Sequence, residues 1–107
     1  MNPPARLSAP DAGRWTLSGV LDFDTVARLA VEGETLLHTA LAHSQTEILV
    51  DLAAIERANS AGLALLLEWL DCAQASGLRL TYTHLPESLQ RLAALSNLGD
   101  VWLLADA

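Results

Sequence analysis

The order of apolar and polar positions along the chain reads as strands alternating with helices. Residues 14–19 (R-W-T-L-S-G) alternate polar and apolar side chains, the period of a half-buried strand, and residues 20–23 are read as continuing into a hairpin partner. Asp24-Thr25 suits a helix cap. Beyond it Val26, Leu29, Ala30, Gly33, Leu36, Leu37 and Ala40 recur at spacings of three and four, the mark of an amphipathic helix. Gly33 weakens that helix by about 1 kcal/mol relative to alanine.

Residues 46–52 (T-E-I-L-V-D-L) are β-branched and nearly continuous in apolar character, as a covered central strand is. A second helix is predicted over residues 61–76, stopped by Gly77. Residues 78–83 alternate as another strand. Pro86 opens a third helix carrying Leu89, Leu92, Ala93 and Leu95, with Asn97 and Gly99 near its end, and residues 101–104 suit a last edge strand. This order predicts a small α/β domain built on a mixed sheet, over residues 13–107, preceded by a flexible leader at 1–12.

The run V-D-L-A-A-I-E-R-A-N-S-A-G-L, residues 50–63, passes from strand through a short polar stretch into the second helix. Function in open α/β sheets gathers where loops leave the carboxyl ends of strands. Ser60 suits the N-cap of that helix, and Asn59 suits it equally. On a wheel of about 100° per residue, Leu63, Leu66, Leu67, Leu70 and Ala73 form a core face. Leu65 and Cys72 fall nearly opposite, with Ala61 and Trp69 close by. A helix that only covers a sheet carries polar residues on that side. An apolar patch containing a tryptophan therefore predicts a partner surface made of Asn59, Ser60, Ala61, Leu65 and Trp69.

Composition narrows the function classes. The chain has 107 residues, enough for one modest core, and is 51% hydrophobic, which excludes disorder over most of its length. Its net charge is −7 and none of its basic residues is a lysine. The arginines at 6, 14, 28, 57, 79 and 91 form no cluster, so neither nucleic acid nor direct insertion into a membrane is expected as a partner. The apolar run at residues 63–67 meets Glu68, far short of the roughly 20 residues a membrane span needs. With no signal-like leader and Cys72 alone, a reducing compartment such as the bacterial cytoplasm is expected.

The residues give little sign of catalysis, cofactor or metal. A P-loop needs a lysine, and the carboxylates Asp22 and Asp24 are too few for a metal site. Ser60 lies in N-S-A-G rather than a G-x-S-x-G elbow. A hydrolase would have to recruit His84 together with Asp51 or Asp22.

The block I-L-V-D-L-A-A-I-E-R-A-N-S-A-G-L-A-L-L-L-E-W-L, residues 48–70, resembles the STAS family, the domains of anti-sigma-factor antagonists and of the cytoplasmic ends of sulfate transporters. Its pattern is a strand ending V-D-L, a short loop, and D-[ST]-x-G-L at a helix start. The resemblance implies a mixed four- to five-stranded sheet with helices packed on one face, and a functional hydroxyl at Ser60. The segments G-L-A-L-L-L, Leu70-Asp71 and S-N-L further resemble the standalone STAS subunits of Mla phospholipid-transport complexes. That likeness implies a non-catalytic cytoplasmic subunit, peripheral to the inner membrane of a Gram-negative bacterium. Its partner would be the MlaF-like ATPase of an ABC transporter with permease and substrate-binding subunits, which maintains outer-membrane lipid asymmetry. The alternative is an anti-sigma-factor antagonist phosphorylated on Ser60. Asn59 departs from the family's usual aspartate at that position.

Overall fold

A computed structural model of the chain describes residues 5–95. Strands β1 (Arg6–Asp11) and β2 (Arg14–Leu21) form an antiparallel hairpin. Its turn needs Gly13: φ is 74°, and a Cβ there would meet the Glu47 carbonyl oxygen at 3.0 Å. The flexible leader expected over residues 1–12 is thus corrected at 6–11, which are a strand. β1 is an edge strand held by backbone pairing to β2, with Leu7 opposite Leu17 as its inward contact, so side-chain pattern barely reports it. The hairpin partner of β2 precedes it, while Val20 and Leu21 continue β2 itself.

Helix α1 (Phe23–Ala42) is capped earlier than expected, by Asp22 rather than Asp24-Thr25. The Asp22 carboxylate accepts the Asp24 and Thr25 amides at 3.0 and 3.2 Å, and the Thr25 hydroxyl accepts the Asp22 amide at 3.1 Å. This reciprocal pair satisfies donors that the first turn leaves open. Strand β3 (Glu47–Ala58) is longer than its apolar run, because its second half keeps pairing with β2 as far as Leu21↔Ala58. Helix α2 (Ser60–Ala75), strand β4 (Arg79–Thr83) and helix α3 (Glu87–Leu95) follow. Gly77 takes φ 78° just after the end of α2, as a helix stop requires. The last strand expected at 101–104 lies outside the described residues.

The sheet is mixed and four-stranded among the described residues, in the order β1-β2-β3-β4, with β2, β3 and β4 parallel. Cross-strand rows divide its faces. Trp15, Val50 and Tyr82 align and are buried, as are Ile48 and Leu80, whereas the alternate row Thr16, Asp51 and Thr83 is only half-buried. The three helices therefore cover one face, as expected. α2 is the middle helix and packs against both α1 and α3. The Trp15 and Trp69 rings meet edge to face at 5.8 Å, and the buried Tyr82 hydroxyl donates to the Leu66 carbonyl at 2.7 Å. Burial pushes the Tyr82 pKa well above its ordinary value.

Candidate functional site

Two adjacent parallel strands end together and each turns into a helix through a polar cap. β2 ends at Leu21, Asp22 caps, and Phe23 begins α1; β3 ends at Ala58, Asn59 caps, and Ser60 begins α2. The Asn59 amide donates to the Leu21 carbonyl at 3.2 Å and ties the two turns together. Phe23 and Ser60 thus occupy equivalent first positions on neighbouring helices that leave the same edge of the sheet. Gly62 lets α2 approach this closely, since a Cβ there would lie 2.9 Å from the Leu21 Cβ and 3.2 Å from the Ala58 Cβ.

Asn59, not Ser60, caps α2: its side-chain oxygen accepts the Ala61 amide at 2.9 Å. Ser60 is already inside the helix and exposed, its hydroxyl free of a capping duty. The double role of cap and contact expected of Ser60 is corrected to exposure alone.

The rest of the predicted partner surface is corrected more deeply. Leu65 is 3% exposed and Trp69 is 1% exposed, and Ala61 is buried as well. None of the three is available to a partner in this fold. The physical reason is α1, which packs along the flank of α2 that a sheet-covering helix would leave wet. A Cβ built on Gly33 would fall 2.3 Å from Trp69 Nε1, so the glycine that weakens α1 also makes room for the indole. That N–H is buried without a hydrogen-bond partner among the described residues.

The exposed apolar residue at this edge is one the periodicity passed over. Phe23 is 72% exposed. The signal was present in D-F-D-T: an aromatic just inside a helix start, off the stripe drawn by Val26, Leu29 and Gly33. Phe23 and Ser60, with exposed Ala27 and Ala64 a turn further along each helix, make a small open surface that Asn59 partly borders.

Asp51 and His84 do meet, with His84 Nδ1 3.0 Å from Asp51 Oδ1. The Ala53 amide, first, and His84, second, hold the Asp51 carboxyl below its ordinary range. Ser60 is not brought to this pair. Asp51 lies near the middle of β3 and Ser60 beyond its end, so at about 3.3 Å per residue roughly 20 Å of strand separates them. Asp22 stands at the α1 cap instead. No group of three or more potential metal ligands exists among the described residues, and none of the described helices is long and apolar enough to cross a membrane.

The family model described as Mlab, STAS domain, matches residues 6–105. The chain belongs to the STAS family. No curated protein matches the sequence. Among solved structures, the domain is similar to the anti-sigma-factor antagonist SpoIIAA in its unphosphorylated form, at TM-score 0.71 and 19% identity over 96% of this chain and 87% of that one. It is also similar to the phosphorylated form of SpoIIAA, a Bacillus cell-fate determinant, at TM-score 0.68 and 18% identity over 96% and 90% of the two chains. An anti-sigma-factor antagonist from Mycobacterium paratuberculosis matches at TM-score 0.63 and 20% identity, over 92% and 81%. These likenesses show the fold: a small α/β domain with the architecture that the three solved structures share.

Proposed function

We propose that this STAS domain is a non-catalytic subunit that docks on the ATPase of an Mla-type ABC phospholipid transporter and supports its assembly and activity. The observation that carries this reading is the match of nearly the whole chain, residues 6–105, to the family model described as Mlab, STAS domain. The docking surface is the edge where α1 and α2 begin, with Phe23 and Ser60 at its centre and Asn59 at its border. An exposed aromatic beside small residues suits a contact that seats in a partner's pocket. A subunit that binds only the folded ATPase stabilises it by mass action. It changes transport to the extent that the ATPase conformations bind it unequally. In this arrangement the domain stays peripheral to the inner membrane through its partner and needs no cofactor.

The test is association of the purified domain with an Mla-type ATPase from the same genome, followed by calorimetry. Phe23→Ala and Ser60→Arg are expected to weaken it at least tenfold while leaving the melting temperature nearly unchanged. Absence of association by the unaltered domain sinks the reading.

A second reading, an anti-sigma-factor antagonist, is favoured by the SpoIIAA likenesses and by the exposure of Ser60 at a helix start, where the backbone tolerates a phosphate. Asn59 in place of the family's usual aspartate counts against it. Mass spectrometry after incubation with the cognate kinase separates the two: phosphate on Ser60 supports the antagonist, and an unmodified serine supports the transporter subunit.

A further inference from the structure

The outer face of the α1–α2 pair carries an apolar upper half and an acidic lower half. Because β2 and β3 are parallel and each feeds its helix from the same edge, α1 and α2 run side by side. Along their solvent side the exposed residues are first Phe23, Ser60, Ala27 and Ala64, then Val31, which is 65% exposed. Further down, the contact of Gly33 with Trp69 sets exposed Glu34 on α1 level with exposed Glu68 and Asp71 on α2. Burial, then Glu68, Glu34 and Asp71, push up the pKa of the half-buried Cys72 thiol. None of these three carboxylates has an ion-pair partner among the described residues. The two arginines on helices are already engaged, Arg28 with Glu32 and Arg91 with Glu87, each at 2.6 Å. The open face of the sheet differs, since Arg79 stands beside Glu47 and Asp51 pairs with His84. Negative charge without counter-charge is thus concentrated on the helical side, next to exposed apolar area.

From this we infer that the α1–α2 face receives a basic amphipathic helix of the partner, its apolar end seated against Phe23 and Val31 and its arginines or lysines over Glu34, Glu68 and Asp71. The inference rests on the docking reading above and specifies the chemistry of the partner's contact. Charge complementarity selects this occupant. A second copy of the domain would bring carboxylates against carboxylates, and an acidic or neutral helix would leave them desolvated without compensation. The small side chains of Ala27 and Ala64 leave room for a helix to lie along the groove between α1 and α2.

The test uses the Mla-type ATPase as probe. Glu68→Lys/Asp71→Lys is compared with Asp11→Lys/Glu47→Lys, which changes net charge equally on surfaces remote from the groove, and circular dichroism confirms that both are folded. The groove variant is expected to bind about tenfold or more weakly, the control within about twofold of the unaltered domain. Affinity of the unaltered domain is expected to fall steeply between about 0.05 and 0.5 M salt, as exposed charge pairs are screened. If the unaltered domain binds but neither salt nor the groove substitutions matter, the basic-helix inference fails and the docking reading stands. If both double variants weaken binding equally, the effect is long-range steering and the inference fails too. If the unaltered domain does not bind at all, both fall together.

Discussion

The edge of the Trp69 indole lies against the bare backbone of Gly33, so closely that a methyl group on Gly33 would sit 2.3 Å from Nε1 and 2.4 Å from Cε2. This contact locks α2 to α1 and explains why a glycine is placed mid-helix. Gly33→Ala gains about 1 kcal/mol of helix propensity but forces overlap on a rigid ring that also touches Trp15, a cost of about 1–3 kcal/mol. With three indole atoms inside contact distance the overlap wins. The expected outcome is a net loss of up to about 2 kcal/mol in urea unfolding, and the same Gly33→Ala change made in a Trp69→Leu background is expected to cost little or nothing.

Leu65 belongs to the core that α1 and α2 share. Leu65→Arg places an unpaired charge where no water reaches, and a loss of more than about 4 kcal/mol is expected. The measurement is the thermal melt: an unfolded or molten variant at 25 °C fits, and a stable one that merely loses its partner restores the wheel-based surface.

Asn59 and Ser60 are neighbours with separate tasks. Asn59→Ala removes the oxygen that accepts the Ala61 amide and is expected to cost about 1 kcal/mol of stability. Ser60→Ala, at an exposed first helical position, is expected to stay within about 0.5 kcal/mol of the parent. Chemical denaturation of the two variants side by side checks the assignment, and the reverse order of costs would return the cap to Ser60.

A negative charge at position 60 separates folding from docking. The N-terminus of α2 has no acidic residue in its first turn, so Ser60→Glu adds a favourable interaction with the helix dipole, worth about 0.3–1 kcal/mol. The same charge adds to an already acidic face and meets the partner's contact. The expected result is an unchanged or raised melting temperature together with altered affinity for the ATPase.

Asp51 sets a small acid-sensitive contribution. Its folded pKa is depressed from 3.8, chiefly by the Ala53 amide and then by His84, so its ionised form favours the fold. A depressed carboxylate contributes above its unfolded pKa and loses that contribution as pH falls through the folded value. Asp51→Asn is therefore expected to be slightly less stable than the parent at neutral pH, with the gap closing below about pH 3.8. Parallel unfolding titrations across that range measure it; because the pair is exposed, the gap is expected to be modest.

Much of this domain is written in its one-dimensional pattern. The alternation in R-W-T-L, the three- and four-residue spacing from Val26 to Ala40, the apolar run ending V-D-L and the stop at Gly77 specify α1, α2 and the strands β2, β3 and β4 without reference to anything distant, because each period follows from backbone geometry alone. The polar stretch read as a turn before Ser60 is mostly strand, since β3 runs on to Ala58 and Asn59 alone separates it from α2. Tertiary structure alone decided how many neighbours each element has. A wheel shows that α2 has an apolar side, but not that α1 covers its other flank, so Leu65 and Trp69 looked exposed and are core, while Phe23 looked incidental and stands in solvent. β1 likewise exists through backbone bonds to β2, which leave almost no trace in side-chain order. Periodicity reports the local geometry of one segment; burial is a property of pairs of segments, and the pairing is settled only when the whole chain packs.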